Sequence, residues 1–389
     1  MSIRTSQQSI DACAAHYGDD ADAMRAYLYS GEEQALALGN RGPIKFDQNG
    51  RLTQQIRDAY SKHGFYIFEG ALSAEELEDI KSDLEQMRER FPVGPNAPND
   101  AHGNPALGAG HQAPNLLWSK PLADPLGGTA LANGRHQVKL FEPKAAEDAP
   151  AYAPFILLGS LQFSEACLRA YGHPDLLRVA ADINGEDFAP FHECLFIKDP
   201  GLGAAVSWHQ DGDTHWESAE FDEGIHGFNF MAQIYGSTAV NGVWVIPGTH
   251  RDGRVDIKSL VAEAGSERLP GAVPILCGAG DVVICNRQIV HGSFANTGFE
   301  RRVTVNFGFH RRKSVLNVQG AGIHSAAVVY DEELIGKRAE VLGLAIQARS
   351  ERYPAETPFR YAPQQGQTFR WTPQTKAELR DYNLRDLSI

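Results

Sequence analysis

The sequence lacks the features that would mark a disulfide scaffold, a membrane protein or a nucleic-acid binder. Its five cysteines, Cys13, Cys167, Cys194, Cys277 and Cys285, are odd in number, far apart and never in a C-x-x-C pair. That excludes the usual spacing of zinc and dithiol redox sites. Cys194, Cys277 and Cys285 fall in apolar, strand-like runs and read as small core residues. No stretch approaches the roughly 20 apolar residues that span a bilayer. Met1 to Ile10 is polar, without the apolar centre of a leader peptide, so no membrane partner is expected and the cytoplasm is the expected location. Basic charge is scarce as well: 36 Lys and Arg against 49 Asp and Glu leave a net charge of −13. No nucleic-acid partner is expected, because phosphate binding needs a basic face. The basic run His310 to Lys313 is short and reads as a solvated strand end. There is no internal repeat and no low-complexity tract.

What is present is ample core material. With 389 residues, 42% hydrophobic and 22% charged, the chain suits one large domain with extensions, or two domains. Residues 1–50 are polar and weakly patterned and read as an N-terminal arm, with one or two helices in the Ala-rich stretch from Asp20 to Leu38. Leu52, Ile56 and Tyr60 suggest a helix, and Gly64 to Phe68 a short strand after it. Ser73 and Glu76 have capping-box spacing, opening a helix with Leu77, Ile80, Leu84 and Met87 on one face and an end near Phe91-Pro92. Residues 92–153, rich in Pro, Gly, Asn and Ala, form a long loop, read either as a lid or substrate-binding excursion or as a tolerated insertion. Helical texture is expected at Phe155 to Arg169 and at Pro174 to Ala181. Short β-branched and aromatic runs then alternate with turns: Cys194–Ile197, Phe228–Tyr235, Gly242–Ile246, Asp281–Ile284 and Val303–Phe309. The fold class expected is therefore α+β with a mainly β core, a sandwich or jelly roll over 51–320 flanked by helices. Residues 321–389 read as a C-terminal helical extension starting with Asp331 to Arg349.

The chemistry-bearing segment is Trp208-His209-Gln210-Asp211. On an extended strand, residues two apart share a face, so His209 and Asp211 can converge on one ion. His291, about eighty residues on, supplies a third ligand. Two histidines and a carboxylate make the facial triad of non-haem iron(II) oxygenases, with positions left open for co-substrate and O₂. Among 14 histidines an H-x-D pair alone is weak. The company raises it: Ser293, Asn296, Arg301 and Arg302 follow, and an arginine there can grip a carboxylate with its planar guanidinium.

The pieces Gly64-Phe65-Tyr66, Leu72 to Glu76, Trp208 to Asp211, Asn241 to His250, Ala279 to Val283, and His291-Gly292-Ser293 with Asn296 and Arg302, in that order, resemble the phytanoyl-CoA dioxygenase-like branch of the Fe(II)/2-oxoglutarate-dependent oxygenases. The resemblance covers about residues 52–310. It implies a double-stranded β-helix (cupin-like jelly roll) in which His209, Asp211 and His291 bind Fe(II), while Arg302 or Arg301, with Ser293, clamps the far carboxylate of 2-oxoglutarate. Arg302 is preferred because it shares a face with Thr304 and Asn306, while Val303, Val305 and Phe307 form the apolar face. The activity implied is O₂-dependent hydroxylation of a small organic metabolite. Related halogenases carry a small residue where this chain keeps Asp211, which favours hydroxylation over chlorination and leaves desaturation or ring formation open.

Trp208, Gln210, Thr214, Trp216 and Gln233 are candidates to line the substrate pocket, with ordinary packing as the alternative for the tryptophans. One of His192 and Glu193 should point inward. His250, in Pro-Gly-Thr-His, reads as a turn residue rather than a ligand. The rival functions are a cupin-like metal-binding protein without oxygenase activity and a metal-dependent hydrolase or isomerase. Substrate identity and oligomeric state, including a homo-oligomer, stay open.

Overall fold

The computed structural model describes residues 3–112, 115–212, 216, 227–320 and 327–387. The strands are β1 (Arg41–Gly42), β2 (Phe65–Phe68), β3 (Leu116–Ser119), β4 (Ala153–Leu158), β5 (Ala189–Lys198), β6 (Val206–His209), β7 (Gly227–Gln233), β8 (Trp244–Val245), β9 (Val273–Pro274), β10 (Val282–Asn286), β11 (His291–Ser293), β12 (Arg302–His310), β13 (Gln319–Gly320) and β14 (Val328–Val329). Eight form a large sheet in the order β1-β2-β10-β7-β12-β5-β4-β3, and four form a small sheet in the order β6-β11-β8-β9. Pairing is antiparallel except between β1 and β2. Strands β13 and β14 make a separate ribbon.

Period-two alternation decides how the large sheet is used. On β12, Val303, Val305, Phe307 and Phe309 join the largest apolar cluster with Leu195 and Ile197 of β5 and Phe228 and Phe230 of β7. Their partners include helices α5 (Glu165–Tyr171), α6 (Pro174–Asn184) and α9 (Glu332–Arg352), whose apolar residues belong to the same cluster. Burying each such side chain contributes about 1.5–3 kcal/mol. The other face of β12 carries Arg302, Thr304 and Asn306, which border a cavity.

Helix α3 (Gln54–His63) stops at Gly64, whose φ of +80° is the left-handed cap glycine adopts without strain. Helix α4 (Ala74–Glu89) starts with the capping box of Ser73 and Glu76. One expectation is corrected. The segment from Phe155 is not helical at its start: Phe155 to Leu158 is in β4, paired with β3 and β5, and the helix begins only at Glu165. A short apolar run fits a buried strand as well as a buried helix, and here the open edge of β5 selects the strand. The N-terminal arm, residues 1–50, packs onto the small sheet. Helices α1 (Gln7–Ala15) and α2 (Ala21–Ala37) bury Ile10, Cys13, Met24 and Leu28, and Tyr27 stacks on Trp244 of the small sheet at 4.6 Å. Gly31 lies so close to the Trp244 ring that a Cβ there would sit 2.4 Å from it. The C-terminal segment folds back over the large sheet: Leu387 N–H donates to the Phe191 carbonyl, and Arg349 reaches Glu76 at 2.6 Å. No helix among the described residues is long and apolar enough to cross a membrane.

Candidate metal and co-substrate site

The metal-ligand types meet where β6 pairs with β11. His209 and His291 are direct register partners across that ladder, with ring centroids 4.1 Å apart. Gly292 lets the strands approach, since a Cβ there would stand 3.0 Å from the Val206 carbonyl oxygen. Asp211 lies just beyond the end of β6, held by its own N–H to the Arg287 carbonyl. One ligand atom from each of His209, Asp211 and His291 falls within 4.8 Å of the others, and all three residues are buried. Nδ1 of His209 lies 2.8 Å from the Ser207 carbonyl and Nδ1 of His291 lies 3.0 Å from that of Ile289. Each Nδ1 therefore carries the proton and donates it, leaving both Nε2 lone pairs to the centre of the cluster. Those Nε2 atoms lie 3.5 and 3.9 Å from the Asp211 oxygens.

Electrostatics favour an ionised Asp211 carboxylate beside a neutral His291. Burial works to raise Asp211, but the guanidinium groups of Arg135 and Arg287 outweigh it and hold the carboxyl well below its ordinary value. Burial pushes His291 down to about 3, with His209 adding to the effect. Asn229 donates to Asp211 Oδ2 at 3.1 Å, whereas Oδ1 is buried without a hydrogen-bond partner. A carboxylate whose two oxygens face two imidazole Nε2 atoms, one oxygen having an ion pair with Arg135 but no hydrogen bond, fits a divalent cation with open coordination positions.

The same cavity is bordered by Arg302 and Ser293. Arg302 Nε donates to Thr304 Oγ1 at 3.0 Å, and Thr304 donates to Gln233 Oε1 at 2.9 Å. A second bond runs from Arg302 Nη1 to the Asn241 carbonyl. Burial lowers this guanidinium to about 10, so it stays cationic at neutral pH. Its neighbour Arg301 faces outward to Asp199 and Glu85, as alternation along β12 requires. Lys198, which the sequence reading missed, donates to Ser293 Oγ at 2.8 Å and to the Phe294 carbonyl. Burial, then Arg302, lowers its ammonium well below the ordinary lysine value. Counting by twos along β5 from His192 through Cys194 and Phe196 would have found it, since all four border the cavity.

A second omission is larger. The 92–153 segment brings Arg135 and His136 onto the triad. Arg135 Nη2 is 3.3 Å from Asp211 Oδ1, and the His136 ring lies 4.1 Å from that of His209. Nothing periodic marks these residues in an irregular segment.

The described substrate-lining candidates do not border this cavity. Trp208 points away from the triad into an apolar cluster and donates to the Glu267 carbonyl. Gln210 is used by the backbone, donating to the Gly253 and Gln288 carbonyls and accepting from Val255. Gln233 braces Thr304 rather than bordering the cavity. Trp216 lies in an outer depression, under the guanidinium of Arg254. Thr214 is outside the described residues. His192 faces the cavity and Glu193 the opposite side, where Ser160 and Tyr382 donate to it. His250 is apart from the triad, its Nε2 donating to the Ser61 carbonyl.

The cavity holds about 790 Å³ of free space, its mouth included. A phytanoyl-CoA dioxygenase family model matches residues 60–304, more than half of the chain. The chain belongs to the phytanoyl-CoA dioxygenase family. Fe(II), 2-oxoglutarate and O₂ are the cofactor set of this family member, and His209, Asp211 and His291 are its metal-site candidates. Among solved structures, the chain is similar to S. alaskensis EctD with 2-oxoglutarate and 5-hydroxyectoine, at 18% identity over 70% of this chain and 81% of that one, TM-score 0.47. It is also similar to the non-haem α-ketoglutarate-dependent carbocyclase SnoK from nogalamycin biosynthesis, at 14% identity over 68% and 87%, TM-score 0.45. EvdMO1 is matched at 19% identity over 64% of this chain, TM-score 0.44, and the chain spans about half (48%) of its length. No match was found among curated proteins.

Proposed function

We propose that this family member is a cytoplasmic Fe(II)- and 2-oxoglutarate-dependent dioxygenase that hydroxylates a C–H bond of a small organic metabolite, on a double-stranded β-helix formed by the large and small sheets. The observation that carries the reading is a single buried cavity bordered by both the His209–Asp211–His291 cluster and a buried arginine, Arg302. A metal store, sensor or hydrolase has no use for that arginine, whereas a dicarboxylate co-substrate does.

His209 and His291 would hold the metal through Nε2 and Asp211 through a carboxylate oxygen. Fe(II) with 2-oxoglutarate and O₂ supplies the oxidising power that converts a C–H bond to an alcohol, with succinate and CO₂ as by-products. The remaining work belongs to the chain. Arg302, fixed by Thr304 and Asn241, is positioned to hold the far carboxylate of the co-substrate, with Ser293 and Lys198 beside it. Ile156, Leu158 and Phe196 supply an apolar wall, which keeps water from the reacting bond.

The test is anaerobic addition of Fe(II) and 2-oxoglutarate to the purified protein. A weak visible charge-transfer band is expected, lost in His291→Ala. A protein that binds iron yet never develops the band with 2-oxoglutarate is not this enzyme.

A further inference from the structure

The loop that crosses the metal site leaves polar groups unused. Arg135 has a side chain only 7% exposed, yet its Nε and Nη1 are buried without a hydrogen-bond partner. His136, 1% exposed, likewise has no partner for Nε2. Both residues border the cavity. A buried N–H with no acceptor costs about 1–3 kcal/mol, so an acceptor arriving with a ligand is favoured there.

The charge balance points the same way. Among the described residues, Arg135 and Arg302 are buried guanidinium groups bordering the cavity, and Asp211 is the one carboxylate bordering it. Asp124, behind Lys198, is taken up by the backbone amides of Gly127 and Leu140. The two charges of a ferrous ion and the two of the 2-oxoglutarate dianion cancel, so among the described residues one positive charge is left over. Unpaired charge in a buried cavity is unfavourable, and a second anion relieves it. One part of the wall is apolar, formed by Leu126, Ile156, Leu158 and Phe196.

We propose that Arg135 is the recognition site for the substrate, with His136 beside it, and that the substrate is a small carboxylic acid with an apolar body. Arg135 Nη2 stays with Asp211, while Nε and Nη1 are free to take carboxylate oxygens. His136 Nδ1 lies 3.3 Å from the Ser207 carbonyl and 3.2 Å from the Ser207 hydroxyl, so Nδ1 carries the proton and the Nε2 lone pair faces the cavity, leaving the anion to Arg135. Arg135 also borders the outer depression with Gln137, Gln210, Trp216 and Arg254, so it stands between solvent and metal, where an entering acid meets it first.

This inference rests on the oxygenase reading, and the experiment separates the two. The anaerobic Fe(II)- and 2-oxoglutarate-loaded protein is titrated calorimetrically with hexanoate and benzoate, and in parallel with hexanamide and benzamide. The acids are expected to bind at least about tenfold more tightly than the amides. Arg135→Gln should erase that preference, and Arg135→Lys, which keeps the charge, should restore part of it. The charge-transfer band needs no substrate, so a protein that shows the band but binds acids and amides equally, or binds no acid, overturns this inference alone. Retention of the acid preference in Arg135→Gln overturns it as well. If Arg135→Gln loses the band, Arg135→Lys decides: a variant with the band but without the acid preference assigns Arg135 to holding Asp211 only.

Discussion

The two faces of the large sheet are both buried, yet they are built from opposite materials. On β5, His192, Cys194, Phe196 and Lys198 border the cavity, while Leu195 and Ile197 pack with the helical side. On β12 the split is Arg302, Thr304 and Asn306 against Val303, Val305, Phe307 and Phe309. The helical face settles its packing on folding. The cavity face keeps groups unsatisfied, such as Asn306 Oδ1, at a cost that a bound ligand offsets. The difference teaches that polarity on this sheet is concentrated where small molecules complete it, so damage to the two faces should show up in different measurements.

The sharpest break comes from the helical face. Phe307 is fully buried against Phe230 and Tyr171. Phe307→Ala should lower unfolding stability by about 3–5 kcal/mol in urea titrations, while the dissociation constant for 2-oxoglutarate in the folded protein changes by less than about twofold. A parallel loss of 2-oxoglutarate affinity would show that the faces are not separable.

On the cavity face the ranking reverses. Arg302→Gln removes the buried cation proposed to hold the co-substrate carboxylate, a change that costs about 2–5 kcal/mol. A rise of at least about 30-fold in KM for 2-oxoglutarate is expected. Arg301→Gln, on an exposed ion pair, should leave KM within about twofold. Equal effects would move the co-substrate away from Arg302.

This contrast also explains what was legible in the sequence. His209, Asp211 and His291 stood out because rare side chains fell at strand spacing, and Arg302 was separable from Arg301 because Val303, Val305 and Phe307 fixed the face of β12. Lys198 obeyed the same alternation and was overlooked among apolar neighbours. Arg135 and His136 obey no period: their placement depends on the path of an irregular segment, which tertiary contacts set. Trp208 misled for a related reason. It adjoins His209, and on a strand the adjoining residue faces the other way.

One polar residue on the helical side of β5 tests the comparison most finely. Glu193 is fully buried, accepting from Ser160 N and Oγ and from Tyr382 Oη. Burial pushes its carboxyl from 4.5 up to about 7; the bonds from Ser160 and Tyr382 oppose that rise, Asp386 adds to it, and Arg338 counters. Cys167 of α5 and Cys194 of β5 also feel its charge. The folded carboxyl therefore holds its proton more tightly than the unfolded one. Its contribution to stability is full below about 4.5 and declines as pH rises toward 7, because the unfolded chain has already released the proton while the folded protein must still give it up. The ceiling on that loss is about 3 kcal/mol. Urea midpoints measured at pH 5 and pH 8 should fall more for the parent protein than for Glu193→Gln, which cannot ionise. The 2-oxoglutarate dissociation constants of the two proteins should agree at each pH, because Glu193 has its back to the cavity. Identical pH slopes would mean that the carboxyl ionises freely in the fold and that the helical side is wetter than its apolar packing implies.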